Sequence, residues 1–232
     1  MLPGVDDARS PSVVRDGEGW RMLFARGGRV EVADSDDGAR WRVRSAPVLV
    51  ADPSAGERGG IGGPSLTEDP DGRWTLAYES GGSVWIARAP RPDGPFERVD
   101  VDPGRAGRQP ALAARAESPT IAHAHPVIRS ERLSTGRTIW RVYARTTAEG
   151  LLDGGTTTEQ TLSLAASYDG VRFTTAASPA LSGRGETQPD APGVLFDGPT
   201  RSLLLFSGGC AGGRRGVRAA IYPAEARLPL TR

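Results

Sequence analysis

The chain has 232 residues, with 29 Lys+Arg against 28 Asp+Glu, a net charge of +1, 31 Gly, 19 Pro and one cysteine, Cys210. That length supports one large core, and the balanced charge excludes a general pull toward nucleic acid or an anionic membrane. The lone cysteine excludes an intrachain disulfide and a cysteine-built zinc site, and no apolar run is long enough to span a membrane. The first residues, MLPGVDD, lack the basic head and apolar stretch of a secretion leader, so the chain reads as cytoplasmic or as the mature form of an exported protein.

Helical periodicity is scarce, and short β-rich runs alternate with Asp-Gly, Gly-Gly and Pro-Asp turns. The first unit opens at Pro11-Ser12-Val13-Val14, followed by predicted strands over 20–25 and 29–34 and, after Asp37-Gly38, near 41–44. The second opens at Pro64-Ser65-Leu66, turns at Pro70-Asp71-Gly72 and continues over 74–78, 83–89 and 96–99. The third opens at Pro119-Thr120-Ile121, passes a polar insert at 129–137 to a strand over 140–144, then a loop at 147–160 and strands over 161–166 and 173–175. The fourth opens at Pro192-Gly193-Val194 and continues over 202–206 and 217–221.

The units are repeats. Residues 35–49, SDDGARWRVRSAPVL, align without a gap on 167–181, SYDGVRFTTAASPAL. Asp37-Gly38 matches Asp169-Gly170, Arg40 matches Arg172, Trp41 matches Phe173, and Pro47 and Leu49 match Pro179 and Leu181. One four-stranded unit every ~40–50 residues is the signature of a β-propeller. Blades packed around an axis bury one another's faces and hide strand edges. Trp20, Trp41, Trp74, Trp85 and Trp140 are therefore expected between blades. The chain reads as all-β, a single propeller domain over 1–232 of four-stranded antiparallel blades, with four units legible and a five-bladed ring expected.

Several local patterns carry candidate chemistry. His123 and His125 stand at i and i+2, on one side of a regular strand, and are candidate ligand-binding groups without the third partner of a metal site. The acids at 34, 36 and 37 lack the closing glutamate of a calcium loop and fit an Asp-Gly hairpin. The glycine clusters at 59–63 and 208–213 are not followed by Lys-Ser/Thr, so they are not phosphate loops. They fit close backbone approach near an axis or pocket.

The Pro-Ser-Val-Val start, the aromatic second strand and the Ser-x-Asp-Gly-x-x-Trp/Phe turn resemble the five-bladed propeller glycoside hydrolases of families 43, 62 and 32. The resemblance implies a substrate pocket at one end of the axis, lined by the first strand of each blade. It implies paired carboxylates on either side of a glycosidic bond: a base just before the proline of the first blade, and an acid two residues before a later one. Glu117-Ser118-Pro119 and Asp190-Ala191-Pro192 have the offset of the acid, with Glu186 four residues before Asp190. In the first unit Ser10 stands where the base is expected, and Gly63 in the second, with Asp6 and Asp7 close by. The implied catalytic set is Glu117, Asp190 and Glu186, with Asp7, Arg9, Ser10, His123 and His125 as substrate contacts. Neither metal nor cofactor is expected, and the partner is a small molecule or an oligosaccharide bound by a monomer. Ser10 also favours two alternatives: a non-catalytic propeller that binds a glycan or a protein, or one recruited for other small-molecule chemistry.

Overall fold

A computed structural model describes residues 5–17, 19–100, 108–117, 120–152, 155–177, 179–182, 189–196, 201–209 and 215–223. For the last three stretches, Pro192 excepted, and for 151–157, it describes backbone alone. The described residues form four antiparallel sheets in chain order. The first blade is β1 (Arg9–Asp16), β2 (Gly19–Arg26), β3 (Arg29–Ser35) and β4 (Arg42–Val43), with β5 (Leu49–Val50) also on β3. The second is β6 (Gly62–Glu68), β7 (Trp74–Ser80), β8 (Ser83–Ala89) and β9 (Glu97–Arg98). The third is β10 (Thr120–Arg132), β11 (Thr138–Leu152), β12 (Gly155–Ser167) and β13 (Thr174–Thr175), with β14 (Leu181–Ser182) on β12. The fourth is β15 (Pro189–Phe196), β16 (Arg201–Gly209) and β17 (Arg215–Pro223). No helix among the described residues is long and apolar enough to cross a membrane.

The third blade differs from expectation in two ways. The polar insert at 129–137 and the loop at 147–160 are mostly strand, so β10, β11 and β12 run 13, 15 and 13 residues against 7 or 8 in the first two blades' long strands. The landmark proline of this blade is Pro126 rather than Pro119. In every blade the pairing of the inner strand with its neighbour skips two residues, and the second is a proline: Ser10-Pro11, Gly63-Pro64, His125-Pro126 and Ala191-Pro192. Proline has no N–H to give to a ladder, so a bulge is where a strand tolerates it.

The core lies in the seams between blades. Leu23, Val30 and Val32 of the first blade pack with Leu66, Trp74, Leu76, Tyr78 and Trp85 of the second. Ala77, Val84 and Ile86 on the second blade's other side pack with Ile128, Trp140 and Val142 of the third. Burying a side chain of this size contributes ~1.5–3 kcal/mol. Trp74, Trp85 and Trp140 are buried in these seams, whereas Trp20 and Trp41 are half-buried. Trp41 packs on Met22 and Phe24, on the opposite face of the first blade from that seam.

Hydrogen bonds repeat along the seams. Ser12 Oγ accepts the N–H of Leu66 at 2.9 Å, and Ser65 Oγ accepts that of Ile128 at 3.1 Å. The carbonyl of Gly28 accepts from Ile61 at 2.8 Å, and that of Gly82 from His123 at 2.6 Å. The Pro-Ser landmark thus has a physical reason: each serine clips its own blade to the next. The third blade carries Val127 at this place, which has no hydroxyl to offer. A buried carboxylate ties the link between the first two blades. Glu57, fully buried, accepts from Tyr78 Oη at 2.5 Å, Arg98 Nε at 2.7 Å, Arg98 Nη2 at 2.9 Å and the N–H of Asp52 at 2.7 Å.

Candidate functional site

The inner strands bring their bulges together at one end of the axis. The residue before the proline is in the left-handed region in three successive blades, Ser10 (φ 51), Gly63 (φ 51) and His125 (φ 50). This conformation costs a non-glycine residue ~1–2 kcal/mol, so Ser10 and His125 are held there by their surroundings. Two residues before the proline stand Arg9, Gly62, Ala124 and Asp190, paired across the sheet with Ala25, Glu79, Arg145 and Ser207. In each pair one residue is charged and the other small. Each of the first three blades therefore places one charge at this level, and the signs alternate: Arg9, Glu79, Arg145.

Glu79 is the best-defined acid of the mouth. It borders a pocket of about 400 Å³ with Asp7, Arg9, Ser10, Arg26, Gly63 and His125. It also borders a neighbouring groove of about 300 Å³ floored by glycines, where His123 is found. Its Oε2 accepts the backbone N–H of His125 at 2.5 Å, which fixes the carboxylate against β10. A Cβ on Gly62 would sit 2.6 Å from Glu79 Oε1, and one on Gly63 would sit 3.0 Å from Pro126 Cδ and 3.2 Å from Glu79 Oε2. Glycines at 62 and 63 thus leave the space that the carboxylate fills. Arg26 is held by Glu31 at 2.7 Å.

The two histidines do different things. The bulge between Ala124 and Val127 interrupts the alternation of β10, and the rings line different pockets. His123 is buried, with Nδ1 2.9 Å from Thr146 Oγ1, and burial holds its pKa below the ordinary imidazole value. It is a hydrogen-bonded core histidine at the edge of a groove. His125 is half-buried in the mouth beside Ser10.

Of the other residues singled out by the sequence, Asp7 and Arg9 are exposed and line the mouth. Glu117 is exposed in the segment that precedes β10, outside the lining of the pockets described here. Asp190 stands in β15 two residues before Pro192, with only its backbone described, and Glu186 lies outside the described residues. No group of three or more His, Cys, Asp or Glu among the described residues could hold a metal ion. Glu79 comes from the second strand, so the spacing of acids before prolines along the inner strands does not reveal it. The available signal was its cross-strand partner: a lone acid ending the apolar run of β7, opposite a Gly-Gly-Pro.

No family model and no curated protein matches the sequence. Solved structures do. A thermostable family-43 glycoside hydrolase superposes with a TM-score of 0.65 at 13% identity, over 98% of this chain and 72% of that one. The chain has the fold of the β-propeller glycoside hydrolases. A glycosyl hydrolase from Bacteroides ovatus gives 0.60 at 16% identity, over 92% of this chain and 65% of its own. An α-L-arabinofuranosidase from Podospora anserina, solved with cellotriose, gives 0.61 at 11% identity, over 94% and 65%. The chain thus spans just under two thirds of the length of the last two. The residues before its bulge prolines, Ser10, Gly63, His125 and Ala191, include no carboxylate.

Proposed function

We propose that the mouth of the axis binds a glycan and cleaves a glycosidic bond with two carboxylates, Glu79 as the ionised partner and Asp190 as the proton donor. The observation that carries this reading is Glu79 in the mouth pocket, fixed by the His125 N–H and given room by Gly62 and Gly63. A base or a stabiliser of an oxocarbenium ion needs a carboxylate held in one place, and the His125 N–H holds this one. Asp190 has the offset from Pro192 that the acid has in the glycosidases this chain resembles, on a blade two removed from that of Glu79. Glu117 and Glu186 are the remaining candidates for the acid, and Asp7 for a second carboxylate on the base side. Arg9, Ser10 and His125 contact the sugar, and His123 supports the strand that carries them.

The test is turnover of a panel of aryl glycosides, pentofuranosides and pentopyranosides first. The wild type is expected to turn over at least one. Glu79→Gln and Asp190→Asn should each lower kcat/KM by ~10²–10⁴, the usual worth of an acid or base, with unchanged melting temperatures. Glu117→Gln and Glu186→Gln should stay within threefold of wild type. Full activity in Glu79→Gln overturns the assignment.

The absence of an acid at 10, 63, 125 and 191 favours one second reading, a propeller that binds a glycan without cleaving it. Saturable oligosaccharide binding that Glu79→Gln and Arg9→Ala weaken, with no turnover of any member of the panel, would establish that reading.

A further inference from the structure

The repeat builds one cavity twice. In the first seam the mouth pocket has the β2–β3 turn at Gly27 and Gly28 on one side, and Ile61 and Gly62 on the other. In the second seam the groove of about 300 Å³ has the β7–β8 turn at Gly81 and Gly82 on one side, and His123 and Ala124 on the other. The same hydrogen bond frames both. The carbonyl of the turn's second glycine accepts from Ile61 in one seam and from His123 in the next. The register agrees, because Gly62 and Ala124 each stand two residues before a bulge proline. The two spaces are contiguous. Ile61, Gly62 and Glu79 line both, so the carboxylate stands where they meet. The turn at Gly82 comes so close to β10 that a Cβ there would lie 3.2 Å from that of Ala122. Along the groove's far side the third blade forms a wall. Its β10 and β11 continue past the level of the mouth to Thr120 and Leu152, whereas β1 and β6 begin at Arg9 and Gly62.

We propose that the pocket and the groove are consecutive subsites for one oligosaccharide chain, with a sugar unit in each and the linkage between the units over Gly62, beside Glu79. A ligand made of like units is matched by a receptor made of like units, and two cavities one blade apart are such a receptor. At about 400 and 300 Å³ each has the size of a small-molecule pocket at the low end of the usual range. Glycine lets a ligand approach the backbone closely, and backbone N–H and C=O groups are partners for ring hydroxyls. Glycosidase carboxylates flank the scissile bond, and a carboxylate at the junction stands beside the bond that joins the two units. The ligand is then a chain of two or more units, not a single sugar. Two subsites presuppose that the mouth takes a glycan, as read above, and they require no cleavage.

The experiment is calorimetric titration of the full chain with the mono-, di- and trisaccharides of the xylose, arabinose and glucose series. In at least one series the disaccharide is expected to bind at least tenfold more tightly than the monosaccharide, roughly the worth of two neutral hydrogen bonds. Ala122 is half-buried in the groove wall, and Ala122→Leu puts a branched side chain into the groove. It should erase the disaccharide's gain and leave monosaccharide binding within twofold of wild type. Ala124→Leu should do the same, and it serves if the first variant does not fold. Arg9→Ala, which touches the pocket and not the groove, should weaken mono- and disaccharide alike. Disaccharide preference without turnover of any aryl glycoside supports the two subsites and rejects cleavage. Turnover with equal affinity for one unit and two rejects the subsites and keeps cleavage. A disaccharide preference that both leucine variants retain also overturns the groove's assignment, and no binding of any member overturns the mouth's glycan reading with it.

Discussion

The outer turns and the inner bulges of the blades repeat in opposite ways. In the first and third blades the turn after the third strand keeps both its residues and its hydrogen bonds. Asp37 Oδ1 accepts the N–H groups of Ala39 at 2.9 Å and Arg40 at 2.8 Å, and Asp169 Oδ1 accepts those of Val171 and Arg172, both at 2.8 Å. Ser35 and Ser167 hydroxyls bond the same carboxylates at 3.1 and 2.7 Å. The bulges keep their backbone and change their side chains, from Ser10 to Gly63 to His125. A turn of this kind is defined by what its own side chains bond, so where it recurs, in the first and third blades, it keeps its residues. A bulge is defined by register and proline, so the residue before the proline is free to serve the space it faces. Substitutions in the scaffold should therefore cost folding and spare binding, and substitutions in the mouth should do the reverse.

The largest effect is expected at Glu57. Removing this carboxylate leaves Arg98 and the Tyr78 hydroxyl without their shared partner, and breaking a buried ion pair from one side costs ~3–5 kcal/mol. Glu57→Ala should lower the unfolding free energy by about that amount in urea titrations and leave oligosaccharide binding unchanged at temperatures where it is folded. The pair also sets a pH dependence. Burial alone would raise the pKa of Glu57, but Arg98, Tyr78 and the Asp52 N–H outweigh it, and the net shift is downward. A carboxylate depressed in the folded state stabilises above its unfolded pKa, near 4.5. That contribution is lost as the pH falls below 4.5 and through the lower folded value. Glu57→Gln should flatten stability against pH in this acid range. An unchanged slope would show that the network does not carry the titration.

The contrast between turn and bulge also sorts what was legible in the sequence. The Ser-x-Asp-Gly turns were legible because their residues are their mechanism, and the strands because alternation and turn signals coincide. The bulge prolines Pro11, Pro64 and Pro192 were legible from spacing. Pro126 was not, since Pro119 offers a similar Pro-Thr-Ile start ahead of it and the long hairpins of the third blade disguise the period. The same bulge put His123 and His125 into different pockets, a break in alternation that no two-residue spacing announces. Glu79 belongs to a contact between strands, and a motif read along one strand does not contain it.

A middle-sized effect is expected at Gly170 in the outer turn. Its φ is +65°, and a Cβ there would lie 3.0 Å from the Trp140 ring and 1.8 Å from Arg88 Nη2. Trp140 is itself fixed by the Asp69 carboxylate, which accepts from Nε1 at 2.8 Å, and by Arg88 over its ring at 5.3 Å. Arg88 is flexible and can move, whereas the indole is packed in the seam. Gly170→Ala should cost ~2 kcal/mol, left-handed strain plus overpacking, read as a melting temperature ~4–8 °C lower. Gly38→Ala, against the more exposed Trp20 with 3.3 Å to its Nε1, should cost less. Equal losses at the two turns would mean that backbone strain alone, not the tryptophan above it, requires glycine.

The smallest effect has the opposite sign and is the sharpest test of the contrast. Ser10 holds φ 51 without the freedom of glycine, while Gly63 fills the same bulge position in the next blade at the same φ. Relieving left-handed strain is worth ~1–2 kcal/mol, and the added backbone entropy of glycine in the unfolded chain takes back ~0.5–1 kcal/mol. Ser10→Gly should therefore raise stability by ~0.5 kcal/mol in denaturant titrations while weakening ligand binding at the mouth. Gly63→Ser, the reverse exchange, should destabilise, because strain is added and its Cβ meets Pro126 Cδ at 3.0 Å. If Ser10→Gly gains stability and loses binding, the strained serine is held in place for what it faces. A loss of stability on the same exchange would show instead that the hydroxyl is part of the scaffold, and the division between conserved turn and variable bulge would not extend to the first blade.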